Sequence, residues 1–439
     1  MRPKLLSWLA PGIGIKRWVA LVMFAAFLAV LGLFIIIGQD LVREVYNRLV
    51  PTADLTLIIV IALVLMTTGI TGIAFGVQRA LRSIVRGISA EAEGRTGEIL
   101  YEQRLLKRGP KIVAVGGGTG LPSLLRGLKT YTSNITAIVT TMDDGGSSGR
   151  LRREHNMLAP GDIRNNLIAL AEDESSIARL FQHRFAGNEK SSLSGHSLGN
   201  LVLAGLQEMS GSFDQAIEEL SLILKTRGRV LPTTVDDAEL CAEMDDGTIV
   251  RGESTIPELQ KRIKRVFLDK DHVKLYPKAL AAIREADIII LGPGSLFTSI
   301  IPNLLVTGLS HEIEAAEAKK IYVTNLMTQP GETDGFGLED HLKALERYID
   351  LTAFDAVIVN SEKVPEALAK RYKDVGQYAV INDLKEPNKY GFKVISAKLL
   401  DIVELEAKPT IKHHSRRLAA VIARCAREEF QSSLKSRFF

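Results

Sequence analysis

Hydrophobic residues follow two kinds of pattern along this chain. Near its start they form two long unbroken runs: Trp18 to Gly38 is 21 residues without a charged side chain, and Leu55 to Val77 is 23. At about 1.5 Å of rise per residue, a helix of either length spans roughly 30 Å, the hydrocarbon thickness of a bilayer. The pattern predicts two transmembrane helices, at 18–38 and 55–77, forming a membrane hairpin over residues 1–78. A secretory leader fits the first run poorly. The run is long, no small-x-small cleavage pattern follows it, and a second run comes soon after. Arg2, Lys4, Lys16 and Arg17 precede the first run, and Arg79, Arg82 and Arg86 follow the second. The 16-residue connection carries only Arg43 and Arg48, diluted by Asp40, Glu44 and Asp54. The positive-inside rule therefore predicts a two-helix protein of the cell membrane, with both termini cytoplasmic.

Residues 79–110 read as a charged helical linker with Leu81, Ile84 and Ile88 at helical spacing, ended by Gly109-Pro110. From Lys111 the second pattern begins: short apolar runs alternate with longer helix-compatible stretches. The runs are KIVAV (111–115), ITAIVTTM (135–142), RVFL (265–268), DIIILG (287–292), KIYVTN (320–325) and DAVIVN (355–360). Helices are expected near 121–130, 163–171, 197–209, 212–225, 276–286, 311–318 and 339–348. This alternation predicts an α/β fold, Rossmann-like, with a mostly parallel sheet and helices on both faces. The stretch 228–254 alternates by single residues around an Asp-Asp-Gly turn and reads as a small antiparallel insertion. Residues 386–439 form a C-terminal extension with a basic helix carrying Leu418, Ile422 and Cys425 on one face.

Composition changes this picture little. The 439 residues are 46% hydrophobic and 24% charged, with a net charge of +4, which gives no ground for a nucleic-acid partner. Cys241 and Cys425 are far apart and lack metal-ligand spacing, so neither a disulfide framework nor a zinc site is expected. A homo-oligomer is compatible with the sequence.

Chemistry concentrates after the predicted strands. Gly116, Gly117, Gly118, Thr119 and Gly120 follow the first strand and open a helix. The loop lacks the Gly-Lys-Ser/Thr ending of a P-loop, and Ser123 stands where the third glycine of GxGxxG would be. What remains is a flexible backbone whose N–H groups, with the helix N-terminus, suit an anion. The second strand ends in Asp143 and Asp144, followed by Ser147 and Ser148. Acidic residues there typically hold ribose hydroxyls or a magnesium ion bridging phosphates. Asp162 is placed to cap the next helix, while Arg164 and Asn165 sit in its first turn, able to face an anion. His196 and Asn200 lie one helical turn apart, which suits ligand contact or acid–base work by His196. Gly292, Gly294 and Ser295, then Asn325, Gln329, Glu332 and Thr333, follow two later strands. Four such loops describe one crevice along the carboxyl edge of the sheet.

Together these segments resemble the gluconeogenesis factor (YvcK) family, within the wider CofD-like superfamily. The resemblance is carried in order by VGGGTGL (115–121), DDGGSSGRLR (143–152), PGDIRN (160–165), LFQHRF (180–185), LSGHSLGN (193–200), GRVLPTT (228–234), MDDGTIVRGES (244–254), IILGPGSLFTSIIPNLLV (289–306) and NLMTQPGETDGF (325–336). It covers residues 111–385, a CofD-like nucleotide-binding domain, with small departures at Thr140-Thr141-Met142 and Asn325-Leu326. The membrane hairpin lies outside the family pattern. The resemblance implies binding of a nucleotide sugar such as UDP-N-acetylglucosamine. It also implies a role in cell shape and wall-precursor supply during gluconeogenic growth, with envelope-biosynthesis proteins as partners. The related CofD branch implies an alternative: a transferase that uses magnesium to move phospholactate from a nucleotide-activated donor. By position, the 116–120 and 292–295 loops would face phosphates, Asp143 or Asp144 would meet metal or ribose, and Asn325 would line the site. In the transferase alternative, Asp144 and His196 are the catalytic candidates.

Overall fold

A computed structural model of the chain describes residues 16–37, 55–88, 104–186, 193–386, 389–405 and 408–427. The chain divides into two compact units, Met1–Arg104 and Leu105–Phe439.

The first unit contains two apolar helices, Lys16–Ile37 and Leu55–Ile88. The second runs further than its apolar stretch predicts and takes residues 79–88 of the expected linker with it. Windows of mean hydropathy 2.7 (Trp18–Ile35) and 2.2 (Ile59–Ala80) make both long and apolar enough to cross a membrane. The two pack against each other through small residues. A Cβ on Gly69 would lie 2.6 Å from the Ala25 carbonyl oxygen, and one on Gly32 would lie 2.7 Å from that of Ala62. Such close backbone approach is the usual packing device between helices in lipid. The outward side chains are large and apolar: Phe24, Phe27, Val30 and Val64 are exposed. At one end the Arg79 guanidinium lies over the rings of Trp18 and Phe75.

The second unit is built on a seven-stranded sheet. Its strands are β1 (Ile112–Gly116), β2 (Ile135–Val139), β3 (Arg229–Pro232), β7 (Ile288–Leu291), β8 (Lys319–Val323), β9 (Ala356–Asn360) and β10 (Lys393–Ala397). Their order is β10-β9-β8-β7-β1-β2-β3, and every pairing is parallel. Alternate residues of β1 feed opposite cores. Val113 and Val115 pack into one apolar cluster, Ile112 and Ala114 into the other. This is why the central strands read as continuous apolar runs: both faces are covered.

Two sequence expectations change. The 228–232 segment joins the parallel sheet as β3, so only the later part of 228–254 is antiparallel. The RVFL run belongs to β6 (Ile263–Leu268), which pairs with β4 (Leu240–Met244); β4 also pairs with β5 (Ile249–Arg251). The two differ in burial. β3 buries three of its four residues, whereas β6 buries only Ile263 and Val266 and leaves the rest partly or fully exposed, as a half-covered strand does.

The tail adds the antiparallel pair β11 (Leu400–Leu405) and β12 (Lys408–His413), then the helix Ser415–Cys425. Leu418 and Ile422 of that helix are fully buried in the core, and Cys425 packs at its margin. Its residues 428–439 lie outside the described set.

Candidate functional site

Strand order locates the site. β1 connects onward to β2 and β3 on one side, while its other neighbour, β7, leads away to β8, β9 and β10. The loops after β1 and β7 therefore leave the sheet in opposite directions, and such a switch point opens a crevice at the carboxyl ends of the strands. The 116–120 loop and the 292–295 loop face each other there. A Cβ on Gly120 would lie 2.6 Å from the Pro293 carbonyl oxygen.

One lobe of the crevice is a cavity of about 310 Å³. Thr119, Gly120, Gly294, Ser295 and Asn325 line it, together with Gln329. The Thr119 hydroxyl makes no cap bond to the helix Gly120–Leu128 that it precedes. Gln329 Nε2 donates to Ser295 Oγ at 2.6 Å and fixes the β7 loop to the β8 loop. The far wall comes from elements that sequence reasoning left out: Tyr372 on the helix Glu366–Lys373, Gln377 after it, and Thr410 to His413 on β12. The Ile411 N–H donates to the Tyr372 hydroxyl at 2.9 Å, tying these walls together. Lys412 supplies a cation whose pKa burial and nearby Arg126 lower. Burial pushes His413 down to about 4, so it is neutral at physiological pH.

The second lobe is acidic. One oxygen each from Asp143, Asp144 and Glu253 lie within 4.8 Å of one another. Asp143 accepts from the Gly145 N–H at 2.9 Å, and Asp144 accepts from the Ser254 N–H at 2.8 Å, which brings the segment after β5 onto the end of β2. Burial, with Asp143 and Glu332 next in weight, pushes Glu253 up to about 8. Burial likewise raises Glu332 to about 7 and Asp162 to about 6. It also raises Asp143, opposed by its bonds to Gly145 and Ser148. Several carboxylates crowded in a poorly solvated place resist ionising together. A hard divalent cation with oxygen preference, magnesium above all, fits this donor set, and Asp143, Asp144 and Glu253 are the residues that would hold it.

Asp162 does not cap its helix. The cap position of Pro160–Leu170 is Ala159, and the Asp162 carboxylate instead accepts the Gly118 N–H. One donor of the glycine loop is thus consumed internally. Gly116 contributes no free carbonyl either, since Asn303 Nδ2 donates to it at 3.2 Å. Arg164 is buried: its guanidinium donates to Ser197 Oγ, to Asn200 Oδ1 at 2.7 Å and to Asn165 Oδ1 at 2.9 Å. It holds the adjoining segment in place from inside. His196 and Ser147 meet as a pair, Ser147 Oγ to His196 Nδ1 at 2.9 Å, and Asn200 Nδ2 donates to the same oxygen at 3.0 Å. Burial and the neighbouring Arg150 lower the His196 pKa, favouring the neutral ring that accepts a proton. Ser148 bonds to Asp143 within the acidic lobe.

The structure therefore splits the sequence-predicted residues into two lobes. Thr119, Gly120, Gly294, Ser295 and Asn325 line the cavity, while Asp143, Asp144, Ser147, Ser148, Arg164, Asn165, His196 and Asn200 belong to the acidic side. Glu332 was named in the sequence only as part of a crevice loop, and Asp162 and Glu253 were not read as site residues. Asp162 looked like a cap, and the other two become acidic neighbours only when the β5 and β8 loops converge.

The family model described as 2-phospho-L-lactate transferase CofD matches residues 112–400. A Bacillus subtilis protein named gluconeogenesis factor is 47% identical over 319 residues, 73% of this chain and 99% of its own length. A Nostoc protein is 40% identical over 421 residues, covering 95% of this chain and 91% of its own. A crystal structure of a Bacillus halodurans protein matches with a TM-score of 0.67 and 45% identity, over 72% of this chain and 99% of that one. A second crystal structure, described as a member of the UPF0052 family from the same organism, gives 0.66 and 46%.

Proposed function

This chain belongs to the gluconeogenesis factor family of CofD-like proteins, and from that premise we propose that it binds a nucleotide sugar and acts as a membrane-anchored regulator of envelope supply and cell shape under gluconeogenic growth. The observation that carries the reading is the convergence of the β1 and β7 loops at the switch point, with a cavity on one side and an acidic cluster on the other. In this assignment the nucleoside lies in the cavity walled by Asn325, Gln329, Tyr372 and Lys412. The diphosphate meets the N-terminus of the helix Gly120–Leu128 and the Thr119 hydroxyl. Asp143, Asp144 and Glu253 would hold a magnesium ion, whose charge would offset that of the phosphates. The chain's own residues bind and orient: the Gly118–Asp162 bond fixes the loop, and Gln329 and Ser295 close its far side.

The two apolar helices are the anchor. In water such exposed phenylalanines and valines would be costly, whereas lipid is their natural solvent. In this reading the site faces the cytoplasm, as the positive-inside rule predicts from the basic residues flanking both helices.

One observation favours a second reading, a magnesium-dependent transferase of the phospholactate type. The Ser147–His196 pair stands beside the acidic lobe, and a neutral buried histidine with an acceptor nitrogen suits a general base. The two readings separate on the fate of the ligand. The purified full chain in detergent is incubated with UDP-N-acetylglucosamine and Mg²⁺, and the bound fraction is recovered and analysed. Intact nucleotide sugar retained by the protein supports binding. Release of UMP when an alcohol acceptor is also supplied, with the sugar phosphate recovered on the acceptor oxygen and both lost in His196→Ala, supports transfer. A chain that retains nothing at millimolar ligand overturns both.

A further inference from the structure

We propose that Arg164 is a positioning residue: through Asn200 it decides which ring nitrogen of His196 carries the proton, and so what the Ser147–His196 pair can do. The network is complete without any ligand, so its test does not depend on the nucleotide reading. Three elements meet in it. Ser147 lies in the first turn of the helix Gly146–His155, Arg164 lies on the helix Pro160–Leu170, and His196 and Asn200 flank the start of the helix Leu198–Ser210. All four residues are buried. A Cβ on Gly199 would lie 2.6 Å from Arg164 Cδ, so the arginine stem packs where only glycine leaves room. Its guanidinium donates to Ser197 Oγ, to Asn165 Oδ1 at 2.9 Å and to Asn200 Oδ1 at 2.7 Å. Burial pushes its pKa down to about 10, which leaves it charged near neutral pH. Keeping a cation out of water is costly, and an apolar side chain of the same size would avoid that cost. What the guanidinium supplies is direction, because it has donors and no acceptor.

Direction passes along the network by elimination. Facing a partner that only donates, the Asn200 amide must present its oxygen to Arg164, which turns its NH₂ towards Ser147. Asn200 Nδ2 then donates to Ser147 Oγ at 3.0 Å. The Ser147 hydroxyl has one proton left to place, and His196 Nδ1, 2.9 Å away, is the acceptor in reach of it among the described residues. That proton points at Nδ1, so a neutral His196 carries its own proton on Nε2. Burial and the neighbouring Arg150, which lower the histidine's pKa, keep the ring neutral. With the amide reversed, donor would face donor at Arg164. Ser147 would then give its proton to Asn200 and receive one from Nδ1, which is the opposite tautomer. The difference is chemical. In the observed arrangement His196 can accept a proton only from Ser147, so base chemistry on this side of the site must pass through the Ser147 hydroxyl, while Nε2 is a donor.

The full chain, labelled with ¹⁵N-histidine and reconstituted into phosphatidylcholine liposomes, is measured by magic-angle-spinning NMR at mildly alkaline pH, where an ordinary imidazole is neutral. A His196→Gln variant identifies the His196 signals among those of the chain's eight histidines. The parent chain is expected to show a protonated Nε2 and an unprotonated Nδ1. Arg164→Met, which keeps an apolar stem and removes the donors, should lose that single pattern to a mixture of both tautomers. Asn200→Asp should invert it. A carboxylate there pairs with Arg164 yet offers Ser147 only an acceptor, so the hydroxyl turns round and Nδ1 must hold the proton. If Arg164 served only to fill space and hold the helices, neither folded variant would change the tautomer. A parent chain protonated on Nδ1 overturns the proposal, as does an Nε2–H pattern that persists in folded Arg164→Met or in Asn200→Asp. The second variant decides the matter even if the first does not fold.

Discussion

A single glycine and a single glutamate carry much of the site's physics. A Cβ on Gly117 would lie 2.7 Å from Asp162 Oδ2 and 2.9 Å from Thr140 Cγ2. Gly117→Ala must therefore push the buried Asp162 away from the Gly118 N–H. Freeing a buried donor or acceptor costs about 1–3 kcal/mol, so nucleotide-sugar affinity should fall by about five- to a hundredfold, read by equilibrium dialysis. Unchanged affinity would show that the loop tolerates movement.

Glu253 makes a pH prediction. Its folded pKa, about 8, lies above the 4.5 of an ordinary glutamate, so protons are bound more tightly in the folded state. That contribution to stability is complete below pH 4.5 and is lost as pH rises through about 8. Magnesium must displace such protons, so its apparent affinity should rise by about tenfold per pH unit for each proton released between pH 6 and 8. Glu253→Gln should flatten that slope in a Mg²⁺ titration followed by thermal melting. A slope that persists would assign the protons to Asp162 or Glu332. Asp143 and Asp144 were legible in the sequence because they follow a strand directly. Glu253 was not, because a hydrogen bond from Ser254 to Asp144, made only in the folded chain, brings it there.

Elements were legible where burial was uniform. The central strands, covered on both faces, announced themselves as apolar runs, and the expected helices lie within a few residues of the observed ones, while the polar helices Gly146–His155 and Glu174–Gln182 were not foreseen. β3 was missed as a parallel strand because it is four residues long and ends in proline. The β11–β12 pair was missed because its residues are only partly buried and its pattern is weak. Yet β12 walls the cavity. Lys412→Gln should weaken nucleotide-sugar binding while leaving the melting temperature within a few degrees, checked by dialysis and calorimetry. The hairpin helices make a separate prediction. A Cβ on Gly72 would lie 2.9 Å from that of Ala25, closer than the roughly 3.8 Å typical of a disulfide but reachable by a small slide of the helices. The Ala25→Cys/Gly72→Cys variant should form an intramolecular disulfide on mild oxidation, detected by mass spectrometry. Failure to form it would contradict the helix register.

At the scale of the molecule, alternation of strands and helices predicts a parallel sheet but not the order of its strands, because sequence distance does not say which strands lie side by side. The order β10-β9-β8-β7-β1-β2-β3 is what turns four polar loops into a crevice with two lobes. It sets the cavity lined by Thr119, Ser295 and Asn325 apart from the carboxylates of Asp143, Asp144 and Glu253. In the proposed assignment, the nucleoside of a nucleotide sugar would occupy the cavity and its diphosphate would turn towards the carboxylates. The most direct measurement is a calorimetric titration of the full chain in detergent with UDP-N-acetylglucosamine, with and without Mg²⁺. The account predicts saturable binding of one ligand per chain that tightens when Mg²⁺ is present. A folded chain that gives no heat at millimolar ligand in either condition would contradict it.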